Sequence, residues 1–218
     1  MRPDTVALIA AGAALLVVLL PGPWRLTRNV ITIVHEAGHA LTALLAGRRL
    51  RGIRLHSDTS GLTLSRGRPY GAGMVCTALA GYPAPSLLGL LYAGLLATGH
   101  PSAPLVLSTV LLAGVLVMVR NAYGVVSVLL TGAVLIGVSW LAPAEVQDAF
   151  AQVITWFLLF GGIRPVGELQ RIRRRGRAYD SDADQLGRLT GTPGFLWVGS
   201  FGLIGLGALV LAGGWLLA

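Results

Sequence analysis

The sequence predicts an all-α polytopic membrane protein, about seven transmembrane helices with a small cytoplasmic β-hairpin at the membrane surface, and three observations lead there. The first is composition: of 218 residues, 54% are hydrophobic and 12% charged, with a mean hydropathy of +0.72, whereas soluble domains carry about 25% charged residues. The second is a recurrence of apolar runs near the roughly 20 residues that a helix needs to cross a bilayer. The third is charge placement. All seventeen basic residues are Arg, and they collect in a few of the intervening loops.

Taken in order, the expected spans begin with Val6 to Leu20. It is short, but Asp4 beside Arg2 and the following Pro21-Gly22-Pro23, with no small-x-small cleavage site, argue for a retained span and against a secretory signal. Asn29 to Ala46 is the second. After it, the alternating runs Ile53 to His56 and Leu62 to Ser65 flank the turn-rich Ser57 to Gly61, the pattern of a β-hairpin. Gly71 to Thr98 is the third span, interrupted by Gly81, Pro83 and Pro85; broken helices at membrane depth are tolerated where they line a cavity. Ala103 to Val119, Ala122 to Ala142 and the short Phe150 to Ile163 follow. Ser181 is placed to cap a short helix with Asp182, Asp184 and Gln185 in its first turn, before Pro193 and the last span, Gly194 to Ala218. The chain reads as one transmembrane domain, residues 1–218. Its single cysteine, Cys76, forms no internal disulfide and is expected to be a small buried hydrophobe.

Cytoplasmic loops are enriched in Lys and Arg. Fifteen of the seventeen arginines fall at the amino terminus, in the 48–68 loop, at Arg120 and in the 164–188 loop, leaving Arg25 and Arg28 for the other side. Seven spans with a cytoplasmic amino terminus satisfy this split, in a plasma membrane of bacterial type. The Arg171 to Arg177 cluster is accounted for by topology, so no nucleic-acid partner is expected.

The second span carries His35, Glu36 and His39. Ionisable groups inside a bilayer cost roughly 2.5 to 3.5 kcal/mol each and are by default paired or functional. His35 and His39, four residues apart, share one helical face. Two such imidazoles can bind one Zn²⁺ at about 2.0 to 2.1 Å, with the adjacent Glu taking a proton from water, as in the HExxH arrangement. A hydrolytic zinc needs a third protein ligand. His56 and His100 read as solvated, and the carboxylates in tails, in loops and beside the Arg cluster are poorly placed, which leaves Asp182 and Asp184.

The residues His35-Glu36-Ala37-Gly38-His39, then Ala80-Gly81-Tyr82-Pro83-Ala84-Pro85-Ser86, then Arg120-Asn121 with Gly124, then Ser181-Asp182-Ala183-Asp184-Gln185-Leu186 resemble the site-2 protease family of intramembrane zinc peptidases, in a short bacterial branch without a PDZ domain. The resemblance covers Asn29 to Leu186 and implies His35 and His39 as zinc ligands, Glu36 as general base and a downstream Asp as third ligand. The Leu-Asp-Gly motif that carries this Asp in better-studied members is missing, and Asp182 is chosen by position. Asn121 is expected either to hydrogen-bond the oxyanion or to cap the helix it precedes.

The expected function is hydrolysis of peptide bonds in membrane-embedded proteins, with a transmembrane substrate and the lipid bilayer as partners. The alternative is a non-catalytic membrane scaffold or metal transporter that retains the metal site.

Overall fold

A computed structural model describes residues 3–176 and 180–217, so Arg2 and Arg177 lie outside the described residues. The chain forms α1 (Pro3–Leu19), α2 (Pro21–Leu45), β1 (Arg49–Leu55), β2 (Gly61–Arg66), α3 (Ala72–Leu79), α4 (Pro83–Ala97), α5 (Ala103–Met118), α6 (Ala122–Leu141), α7 (Ala144–Arg174), α8 (Asp182–Thr190) and α9 (Gly194–Leu216). Every one of the seven apolar segments is helical. Among the described residues, α6, α7 and α9 are long and apolar enough to cross a membrane, and up to five spans result if α1 with α2, and α3 with α4, each count as one bent span.

The bends follow from proline. A residue before proline is pushed out of the helical region, and Leu20 is extended at φ −76°, ψ 129° ahead of Pro21. Proline in turn suits the first helical turn, where no N–H is needed, so the helix restarts at once and leaves α1 at 99° to α2. Pro83 and Pro85 withdraw two donors from the third segment, which bends by 70° between α3 and α4.

Two helices are therefore longer than their apolar stretches. Arg25 and Arg28 belong to α2, and Arg164, Arg171, Arg173 and Arg174 to α7. Arg28 approaches Glu168 at 3.4 Å and Arg164 approaches it at 3.1 Å, while the Trp24 indole donates to the same carboxylate. Two arginines on one carboxylate cannot stand on opposite sides of a hydrocarbon core about 30 Å thick. The expected assignment of Arg28 to one side and Arg164 to the other is corrected accordingly. Cys76, expected to be buried, is exposed on α3.

α7 is the centre of the bundle, with α1, α4 and α9 packed on it. Ala10, Ala14, Tyr92, Trp156, Leu159 and Ala212 are among the buried residues of this core. A second cluster, including Ile33, Ile53, Leu55, Val115 and Val128, joins α2 to the hairpin, α5 and α6. A third seats α8: Ala183 and Leu186, three residues apart and both fully buried, pack with Ala78, Val166, Leu169 and Phe201. Ser181 caps α8 by accepting from the Asp184 N–H at 3.3 Å, as its sequence position predicts.

The hairpin is antiparallel, with Ile53 opposite Thr63 and Leu55 opposite Gly61, and a register shift between Leu50 and Gly52. Gly52 sits at φ +144°, and a Cβ there would meet Arg120 Cγ at 2.3 Å. That close approach lets the 119–121 segment pair with the outer edge of β1. Arg120 N–H donates to the Ile53 carbonyl at 2.9 Å, and Asn121 both accepts from Leu55 N–H at 3.2 Å and donates to the Leu55 carbonyl at 2.7 Å. The side chain of Asn121 thus works as one more residue of a strand. It makes no cap hydrogen bond to α6, although the Asn121 backbone occupies the cap position, and its side-chain bonds go to β1. Asn121→Ala would strand a donor and an acceptor at fully buried Leu55, at a cost of about 1 to 3 kcal/mol. The expected result is a lower melting temperature with faster hydrogen exchange in β1.

Candidate metal centre

His35, Glu36 and His39 lie in the middle of α2, where one turn places both histidines on the face toward the α3–α4 break. His39 Nδ1 donates to the Thr77 carbonyl of α3 at 2.6 Å. This bond fixes the tautomer and leaves Nε2 as a free lone pair. That Nε2 stands 3.1 Å from His35 Nε2, and each of the two stands 3.2 Å from Asp182 Oδ2. Ligand atoms at about 2.0 to 2.1 Å around a tetrahedral ion are about 3.3 Å from one another, so the triangle has the size that zinc requires. Two imidazole nitrogens and a carboxylate oxygen pressed together also need positive charge among them. Burial pushes the Asp182 carboxyl up, and the imidazoles of His39 and His35 more than offset it, holding the group below the usual carboxylate range.

The structure separates the two aspartates that the sequence leaves open. Asp184 is bound to the Arg173 guanidinium, and Ser181 Oγ donates to its other oxygen at 2.5 Å. Asp182 faces the histidines. α8 packs against α3 and α9, which brings Asp182 to the histidines. His56 and His100 are exposed, as expected. Among the described residues, His35, His39 and Asp182 are a group whose ligand atoms all lie within 4.8 Å of one another.

Glu36 is nearly fully buried and turns toward the hairpin. Thr63 Oγ1 of β2 donates to Glu36 Oε2 at 2.6 Å and lies 3.1 Å from the Glu36 carbonyl. Gly61, next in line along the same face of β2, leaves room for the carboxylate, since a Cβ there would come within 2.4 Å of Oε1. Gly81 does the same for the histidines: its Cβ would stand 2.3 Å from His39 Nε2 and 2.6 Å from His35 Nε2. The backbone at the break is therefore pressed against the ligand nitrogens, a place that only glycine can occupy. Tyr82 follows with its ring edge-on to His35 at 4.9 Å and stacked on Phe201 of α9 at 4.9 Å.

Several of these residues escape sequence reasoning. Gly81 carries a signal, as a helix breaker, without its reason. Gly61 is visible only as a turn residue, and Thr63 and Thr77 carry no signal, because their roles arise from contacts 27 and 38 positions away in the chain, as the Thr63–Glu36 and Thr77–His39 bonds show. Tyr82 is visible only as part of the Gly81 to Ser86 stretch.

No curated protein and no solved structure matches the chain. A family model described as Peptidase M50B-like matches residues 8–212, nearly the whole length and every element of the site. That family carries the protease activity that the HExxH helix suggests, and the chain belongs to it, in agreement with its resemblance to the site-2 proteases.

Proposed function

We propose that this chain is an intramembrane zinc metalloendopeptidase that hydrolyses peptide bonds of membrane-embedded proteins, in regulated intramembrane proteolysis. The observation that carries this reading is the convergence of His35, His39 and Asp182 in a triangle of zinc dimensions, with Glu36 one residue from the first ligand. Zinc held there would polarise the scissile carbonyl and make water a stronger acid. Glu36 accepts the proton of the attacking water and passes it to the leaving amine. Thr63 engages Oε2 and so fixes the carboxylate plane, leaving Oε1 to move the proton.

A helical substrate hides its carbonyls and must unwind to be cut. The outer edge of β2 has no strand partner among the described residues. Leu62 and Leu64 are exposed on it, and an unwound segment would pair there by β-augmentation. The hairpin reaches Glu36 and α8 reaches His39, so the 48–68 and 171–188 segments meet at one site. In our reading both face the cytoplasm, in a multi-pass fold in the plasma membrane. Single cysteines introduced into either segment on a Cys76→Ser background are expected to resist an impermeant thiol reagent in intact cells. Labelling of either would reverse the orientation.

The reading is tested by purifying wild type beside the His35→Ala, His39→Ala double variant and measuring zinc and cleavage of a membrane-embedded substrate. One zinc per chain and cleavage are expected for the wild type, and neither for the variant. Stoichiometric zinc in the double variant would overturn the site. No observation favours a scaffold or a transporter.

A further inference from the structure

A cavity of about 450 Å³ lies inside the bundle, bounded by α2, α5, α6 and α7 and floored by α1 and α4. Its α2 wall is made by Val30, Ile33, Val34 and Ala37. At about 100° per residue these positions centre half a turn from His35 and His39. The cavity is therefore behind the helix that carries the metal ligands, and a polypeptide seated in it would be on the wrong side of α2 for cleavage.

Its lining offers nothing polar to a guest. Thr27 donates to the Pro23 carbonyl and Thr131 to the Ser127 carbonyl, both at 2.9 Å, and Tyr92 and Ser108 bond each other at 2.7 Å. Every hydroxyl in the wall is thus internally satisfied, whereas a buried water needs 2 to 4 polar partners. The mouth is formed by Leu26, Leu130 and Val134, which are 84%, 64% and 58% exposed on the apolar helices α2 and α6. Size then selects the guest. A helix about 10 Å across fills roughly 420 Å³ per turn, so the cavity admits about one turn. With a methylene taken as about the size of a water, about 30 Å³, the same space holds about fifteen methylenes, the length of one acyl chain.

We propose that this cavity is a binding site for a single acyl chain of a bilayer phospholipid, seated against the back of the metal-bearing helix. The inference does not depend on proteolysis. It is tested in nanodiscs of phosphatidylethanolamine and phosphatidylglycerol that contain a phospholipid with a photoactivatable diazirine at the acyl terminus. After irradiation, Val30 and Val34, which line the cavity and are half-buried, are expected to be labelled as heavily as Leu203 and Val210, which are exposed on α9. Filling the space from either of two walls, by Val134→Trp or Val153→Trp, should lower the wall labels at least tenfold and leave the α9 labels unchanged. A wild-type protein labelled on α9 but not in the wall would overturn the site, whatever the folding of the variants. So would wall labels that persist in both folded variants, or that vanish when a membrane-embedded substrate is bound to the Glu36→Gln protein, which would assign the space to substrate.

Discussion

Glu36→Gln is expected to abolish cleavage while leaving zinc bound and the fold intact. Glu36 does not take part in the ligand triangle; its carboxylate is turned toward β2, where Thr63 donates to Oε2. The carbonyl oxygen of a glutamine can accept the same hydrogen bond, and the amide is close enough in size to fit beside Gly61. What the substitution removes is basicity. General-base catalysis contributes about 10²- to 10⁴-fold, so turnover should fall by that amount with little change in melting temperature or metal content. If Glu36 were only a structural partner of Thr63, the order would reverse, with a loss of stability and retained turnover. Zinc content, melting temperature and cleavage measured on one preparation separate the two, and undiminished cleavage excludes Glu36 as the base.

Much of this site is legible in the sequence because its signals are local. The i, i+4 histidines need only the helical period, Ser181 and Asp184 need only the geometry of a helix cap, and the hairpin needs only alternation on either side of a turn-rich stretch. Each of these is present where the pattern places it. The position of Asp182 beside His39, by contrast, depends on a chain separation of 143 residues. Local pattern identifies the pair of candidate aspartates, and only tertiary packing distinguishes between them.

The errors have a common physical origin. Charge alone predicts loop, yet Arg28 and Arg164 remain helical because Glu168 and the Trp24 ring compensate them inside the bundle. An apolar setting predicts a buried Cys76, yet it is exposed. In lipid the solvent is as apolar as the core, and hydrophobicity no longer separates inside from outside. Asn121 occupies a cap position, with extended backbone at φ −142°, ψ 152°, but its side chain satisfies the unpaired edge of β1, a demand that comes from 66 positions away.

Asp182→Ala is expected to empty the metal site, whereas Asp184→Ala should keep the metal and lose stability. The two residues share the first turn of α8 and differ in what they touch. Asp182 Oδ2 is within 3.2 Å of both imidazoles, so its removal leaves two neutral nitrogens where zinc requires a third protein ligand. The loss of zinc affinity should exceed the about 10- to 100-fold that removal of an outer-shell partner costs, and cleavage should disappear with it. Asp184 is held by Arg173 and Ser181, and its truncation removes both side-chain bonds and leaves a partly buried guanidinium without its carboxylate. Ser181 still caps through the backbone N–H at 184, so the cost is that of the lost hydrogen bonds to a charged group, about 1.5 to 3 kcal/mol. Because Ala183 and Leu186 still anchor α8 in its apolar seat, Asp182 should hold its place. Zinc per chain after equilibration with a graded chelator, together with melting temperature, distinguishes the variants. Zinc lost from Asp184→Ala and retained in Asp182→Ala would exchange the two roles and overturn the triangle as the metal centre.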